Sequence, residues 1–367
     1  MKDADDFTLV RFLLAAIFDR LNPDHKFKAT LRYHGEPCDI FTIAENRTVK
    51  QKDTHWTITH DQSVILTQDS LYQTFPIKEY ILSIPSSNII QCVEIVSPIL
   101  NLGDLKYQGS FDDILQNVLP ANDHFSYWNN EKTSCHVHFS LSDDLLRTGN
   151  NLFKIAMAWW CFEPFFMLLV GHWRRNNEYC IPLRRKTTPD HFKQLRSLLQ
   201  SLNKKESDPF RIYREESFIV TMLLFQGLEP KDRYTTLNMF NLLPGGIGTI
   251  EVRLKQGSSS SEENKQFILL MMFFILSAVR NPLVNKNLVD LCGSWFHYKD
   301  NTWQLFDIEE TLWKNSDGLK LSREKMQKNE DILHGFITKN LTENEKKQFA
   351  NTWTYWKNMF QGLHKFI

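Results

Sequence analysis

Three segments far apart in the chain carry side chains suited to cations and phosphate: Glu94 in VEIVSP, His136 and His138 in SCHVHFS, and Glu251 with Arg253 in TIEVRLKQGS. Carboxylates and imidazoles bind divalent metals, and a guanidinium forks onto phosphate oxygens. Each segment has the β-branched, apolar character of a strand. Successive strand side chains alternate faces, so His136 and His138 share a face, as do Glu251 and Arg253. If the three strands are neighbours in one sheet, they compose a metal–nucleotide site. Taken singly, each has a plainer reading: a hydrogen-bonded histidine pair, a cross-strand ion pair, a strand ending at Ser97-Pro98. Cys135 should face away from His136, which argues against a Cys–His nucleophile pair.

The elements that must position these residues follow from periodicity and breakers. Apolar spacing predicts an amphipathic helix over Phe7 to Leu21, ended by Asn22-Pro23. Strands are expected over 27–34 and 54–68, the second a hairpin turning at Asp61-Gln62, and over Ile89 to Val96. A helix over Gly109 to Leu119 precedes the strand Ser134 to Ser140. Leu152 to Trp173 reads as a long aromatic helix with Arg174 and Arg175 at its end, and 189–203 as an amphipathic one. Tyr234 to Leu243 and Thr249 to Leu254 read as a strand pair around Pro244-Gly245-Gly246. Glu262 to Arg280 is an apolar helix, and beyond residue 285 the sequence turns charged and helical. Strands in hairpins with helices between them suit an antiparallel α+β sheet better than a doubly wound one.

Composition narrows the function classes. The 43 basic and 43 acidic residues cancel, so the electrostatic footprint of a nucleic-acid binder is missing. The six cysteines are scattered without a CxxC pair, as in a cytoplasmic protein with reduced thiols. Asp3, Asp5 and Asp6 make a poor signal-peptide start. The run Phe267 to Val279 is shorter than the roughly 20 residues of a membrane span and reads as buried core. Glu163 interrupts the other apolar run and, as a buried carboxylate, calls for a partner, Arg174 or Arg175 or a neighbouring helix. No GxGxxG or GxxxxGK[ST] loop supports a Rossmann or P-loop fold.

WTITHDQS (56–63), VEIVSPIL (93–100), SCHVHFS (134–140), WCFEPF (160–165), WRRNNEYC (173–180), RYTTLNMFNLL (233–243) and TIEVRLKQGS (249–258) run in an order that resembles the amidoligase family. That family belongs to the carboxylate–amine ligases related to glutamine synthetase and glutamate–cysteine ligase. The resemblance spans residues 7–285 and implies a curved, mostly antiparallel sheet of glutamine-synthetase-like type with packed helices. It leaves 286–367 as a helical C-terminal extension. It also implies ATP- and Mg²⁺-dependent joining of a small-molecule carboxylate to an amine through an acyl phosphate. On that pattern Glu94, His136 and Glu251 are metal ligands, and His138 supports substrate or phosphate. Arg253 clamps phosphate, Arg233 and Asn238 line the nucleotide side, and Asp61 and Ser63 face the substrate. Family members open with a GxExE strand supplying two carboxylates; no ExE precedes Phe7, so that strand is expected to be missing. This motivates a second reading, a catalytically inactive relative that binds a small molecule or protein. A third, a zinc hydrolase built on His136, His138 and a glutamate, lacks HExxH or a third spaced histidine.

Overall fold

Ile250–Gln256 alternates apolar and polar side chains around a β-branched centre, and this run forms the middle strand of the sheet that carries the candidate site. The computed structural model describes residues 29–33, 36–37, 56–60, 93–97, 133–140, 149–170, 174, 177–183, 225–227, 229–243, 246–258, 260–280, 296–299, 302–305 and 330–366. They fall in two compact units, Met1–Thr133 with Gly257–Glu262, and Ser134–Gln256 with Glu263–Ile367. The class is α+β.

In the first unit, β1 (Ala29–Tyr33), β2 (Glu36–Pro37), β3 (Trp56–His60) and β4 (Val93–Val96) form a sheet in the order β2-β1-β3-β4. β1 and β3 run parallel, with Thr30 opposite Thr57, and the other two pairings are antiparallel. β4 places Glu94 opposite Thr59. The expected helices over Phe7 to Leu21, Gly109 to Leu119 and 189–203, and the turn at Asp61-Gln62 with Ser63, lie outside the described residues.

In the second unit, β5 (Ser134–Phe139), β6 (Leu237–Asn238) and β7 (Ile250–Gln256) form an antiparallel sheet in the order β5-β7-β6. Val137, Leu237, Ile250, Val252 and Leu254 turn one face of it into the core. Helix α1 (Gly149–Leu168) and helix α2 (Ser261–Arg280) contribute most of the rest. Their aromatic rings meet edge to face: Phe274 stands 4.9 Å from Phe166 and 5.8 Å from Phe162. Each such side chain taken out of water contributes about 1.5–3 kcal/mol, with edge-to-face geometry adding about 1 kcal/mol. The run Phe267 to Val279 is indeed core. α1 stops at Leu168, short of Trp173.

The stretch 234–243 departs from the strand expected there. It forms a 3₁₀ turn at Pro230–Tyr234, only two residues of strand, and a second 3₁₀ turn at Phe240–Leu242. The side chain of Gln226 explains the interruption. Its amide donates to Asp232 O and Asn238 Oδ1, both at 2.9 Å, and its carbonyl accepts Met239 N at 2.8 Å, replacing a ladder partner. The helical sequence expected beyond 285 includes a short strand pair. β8 (Phe296–Lys299) and β9 (Thr302–Leu305) pair as an antiparallel hairpin before a helix over residues 330–338 and helix α3 (Glu343–Phe366).

α3 starts with a reciprocal cap: Thr342 Oγ1 accepts Glu345 N, and Glu345 Oε2 accepts Thr342 N at 2.8 Å. Glu345 also takes a two-pronged pair from Arg280 at the end of α2, at 2.6 and 3.1 Å. The Arg280 guanidinium, helped by Thr342, holds the Glu345 carboxyl down at about 2. A carboxyl whose pKa is depressed in the fold contributes stability above its unfolded pKa and loses it as pH falls through the folded one. Arg280→Ala is therefore expected to lower stability by about 1 kcal/mol at neutral pH, since the pair is partly open to water. In urea titrations the difference from wild type should shrink from about pH 4.5 towards pH 2.

Candidate active site

The other face of the β5-β7-β6 sheet gathers most of the residues singled out by their types. His138 lies opposite Glu251, and Asn238 opposite Glu251 from the other side, so β7 presents its carboxylate between both neighbours. Cys135 pairs with Lys255 and Val137 with Val252, so the one residue between them on β5 faces two on β7. This bulge sets Arg253 and Leu254 across from His136. It also reverses the alternation beyond it: Lys255 turns inward, fully buried, and its ammonium is paired with Glu263 of α2. Cys135 packs against the core, and burial pushes its thiol up.

Glu251 is 4% exposed and its two oxygens are fully engaged. Oε1 accepts Arg253 Nη1 at 2.6 Å and lies 3.1 Å from His136 Nδ1 and 3.7 Å from His138 Nε2. Oε2 accepts Asn238 Nδ2 at 2.7 Å and Asn241 Nδ2 at 3.4 Å. Burial alone would raise this carboxyl, but the His136 hydrogen bond and the Arg253 and histidine charges outweigh it and hold the group at about 2. Burial pushes both histidines down, more than the carboxylate pulls them up, so they are neutral at pH 7. His136 Nε2 meets Ser134 Oγ at 2.8 Å, and His138 Nδ1 meets Thr249 Oγ1 at 3.0 Å.

Arg253 donates through Nε to Tyr179 O at 3.2 Å, and its guanidinium lies 5.6 Å from the Tyr234 ring. Its Nη2 makes no hydrogen bond among the described residues, and is the donor left for a ligand. Arg233 is exposed and lies over the same ring at 4.8 Å. The Arg253 backbone is held from below by Arg174, a buried guanidinium that donates to Arg253 O at 2.6 Å and Leu254 O at 3.4 Å. Arg174 is thus no partner for Glu163. Glu163 Oε1 instead accepts Leu183 N at 2.6 Å, Trp159 Nε1 at 3.3 Å and the Thr236 hydroxyl.

The loop entering β7 is tied back onto Asn241. Asn241 O accepts Gly248 N at 2.8 Å, with Gly248 at φ +74°, and a Cβ on Gly246 would overlap the Asn241 carbonyl. Gly246→Ala is expected to shift Asn241 off Glu251 and to cost about 1–3 kcal/mol, read as a lowered urea midpoint with the m-value unchanged.

The structure therefore brings together His136, His138, Glu251, Arg253 and Asn238, with Arg233 at the margin. Glu94 stands on β4 in the first unit, and Asp61 and Ser63 lie outside the described residues. Ser134, Tyr179 and Asn241 were not singled out, and Arg174 only as a partner for Glu163. Period-two alternation could have added Ser134 to the histidines; the loop and core contacts leave no such signature. Among the described residues, no group of three or more His, Cys, Asp or Glu side chains is placed to hold a metal ion. The hydrogen bonds say why: the one carboxylate of the face has no lone pair to spare, and Arg253 brings positive charge to the oxygen a cation would need.

A family model described as "Putative amidoligase enzyme" matches residues 15–275. The chain belongs to this family of ligase-type enzymes. No curated protein matches it, and no solved structure does. Among the described residues no helix is long and apolar enough to cross a membrane.

Proposed function

We propose that the chain is an ATP-dependent carboxylate–amine ligase that forms an amide or peptide-like bond through an acyl phosphate. Residues 1–285 would form its glutamine-synthetase-like domain and 286–367 an extension. The observation that carries the reading, beside family membership, is Arg253. It is a guanidinium clamped by Glu251 and Tyr179 on one face of a sheet, with one edge left to donate.

In the first step a carboxylate oxygen attacks the γ-phosphorus of ATP, the bond to the β-phosphate oxygen breaks and ADP leaves. In the second the amine nitrogen attacks the acyl carbon, the C–O bond to phosphate breaks and the amine proton passes to a base. Charge accumulates on the transferring group, and a preoriented guanidinium stabilises it most when nothing must reorganise. Glu251 supplies that orientation, and Asn238 and Asn241 hold Glu251 in turn. His138, neutral and half-exposed, would take the amine proton. Arg233 beside Tyr234 would meet the nucleotide, and Asp61 and Ser63 the substrate. Mg²⁺ would accompany the nucleotide and offset its charge. The β5-β7-β6 face alone does not fit a cation, and Glu94 is the further ligand that the family resemblance implies. A cytoplasmic location accords with the free thiols of Cys135 and Cys180.

The test is incubation with ATP, Mg²⁺ and pooled carboxylates and amines. ADP and phosphate should appear in step with a new amide mass. Nucleotide binding without any turnover would favour a catalytically inactive relative.

A further inference from the structure

The ligase reading leaves Ser134, and its contact with His136, without a role. Ser134, His136 and Glu251 form a continuous line: Ser134 Oγ lies 2.8 Å from His136 Nε2, and His136 Nδ1 lies 3.1 Å from Glu251 Oε1. The direction of the protons follows from the inventory of donors. An ionised carboxylate only accepts, so Nδ1 must carry the imidazole hydrogen. In a neutral ring Nε2 is then bare, and the serine hydroxyl must donate to it. The result is a hydroxyl polarised toward a base whose tautomer is fixed by a buried carboxylate. This is the geometric order of nucleophile, base and orienting group.

The strand explains how so few residues make it. Ser134 and His136 are two apart on β5, so they share a face without any loop between them. The bulge opposite His136 lets the neighbouring strand aim Glu251 at Nδ1 while Arg253 locks the same oxygen. Ser134 is partly exposed, so a ligand can reach it, whereas the more acidic thiol chemistry of the nearby cysteines is suppressed by burial.

We propose that Ser134 is a nucleophile activated by His136 and oriented by Glu251, giving the chain an acyl-transfer activity toward activated esters that needs neither ATP nor metal. Ser134 Oγ attacks the ester carbonyl carbon, its proton passes to His136 Nε2, and the carbon–alkoxide bond breaks as that proton goes to the departing alcohol. Water then attacks the acyl-serine carbon, delivers its proton to Nε2, and the acyl–Oγ bond breaks as Oγ recovers the proton. The acid is released and no electrons are exchanged.

The test uses the full chain in buffer with a metal chelator and without nucleotide. An alkyl fluorophosphonate is added; its P–F bond breaks as the Oγ–P bond forms, and fluoride leaves with the proton. The expected result is one phosphonyl group added per chain, located on Ser134 by peptide mapping. Ser134→Ala should abolish the label, Ser260→Ala on an exposed loop should leave it intact, and His136→Ala should slow labelling by about a hundredfold or more. Hydrolysis of p-nitrophenyl acetate should fall in the same order. The proposal is overturned if wild type takes no label, if the label maps elsewhere, or if Ser134→Ala reacts at the wild-type rate. Mapping on the wild-type chain decides the matter even where a variant fails to fold. Because ATP is absent, failure here leaves the ligase reading untouched, and failure to release ADP leaves this one standing.

Discussion

Glu251→Gln is expected to lower ligase turnover on the order of 10²–10³-fold, the scale of losing a preorganised transition-state donor. The wild-type carboxylate accepts four side-chain donors, two on each oxygen. Glutamine offers one acceptor oxygen and turns an NH₂ group toward donors that have nothing to give it. Arg253 Nη1 then loses its anchor, and the free Nη2 loses its direction. The substitution should also cost stability, because a mostly buried guanidinium is left without its anion. The pH dependence separates the two effects. Glu251 is held at about 2, below its ordinary value, so its contribution is complete above about pH 4.5 and disappears as pH falls toward 2. Wild type should therefore lose on the order of 3 kcal/mol across that window, and the glutamine variant should show a flatter acid limb in urea titrations. Full turnover in the variant would remove Glu251 from the site.

The second large effect is structural. Glu163 sits 1% exposed in the aromatic helix α1, where its oxygen accepts the Leu183 amide, the Trp159 indole and the Thr236 hydroxyl. Those donors come from the helix, the segment at 181–183 and the residue just before β6. Ile181 and Thr235 form a bridge, and Thr236 N donates to Ile181 O at 2.9 Å. Thr236 O in turn accepts Arg253 N at 2.8 Å, so this carboxylate lies two hydrogen bonds from the candidate site. Glu163→Leu leaves several buried donors unsatisfied and is expected to destabilise by about 3–5 kcal/mol. Glu163→Gln keeps an acceptor oxygen and should cost about 1–2 kcal/mol. Chemical denaturation of both variants checks the order; equal costs would mean that the size of the side chain, not its hydrogen bonding, is what matters there.

Much of the site could be read from the sequence because strand alternation is a strict rule. It placed His136 with His138 and Glu251 with Arg253, and seven ordered segments pointed to the amidoligase family. What alternation does not encode is which strands pair, nor an extra residue in one of them. The bulge at Arg253 and Leu254, and with it the inward turn of Lys255, therefore had no signature. The stretch 234–243 failed for a different reason. Its Tyr, Leu, Met and Phe mimic a strand, but Gln226, distant in sequence from the strand it replaces, satisfies the backbone there and lets it coil into 3₁₀ turns. A buried carboxylate at Glu163 was legible as needing a partner. Among the described residues its partners are a backbone amide and two side-chain donors, while Arg174 is drawn to the carbonyls of the bulge.

In the proposed reaction a carboxylate is activated by direct phosphorylation on this chain. Its most direct measurement uses a carboxylate pool labelled with ¹⁸O, together with ATP, Mg²⁺ and amines, and mass analysis of the phosphate released. An acyl phosphate requires the oxygen that attacked phosphorus to leave with it, so one ¹⁸O atom should appear in each phosphate formed alongside amide. Unlabelled phosphate, or AMP and pyrophosphate in place of ADP, would contradict the account.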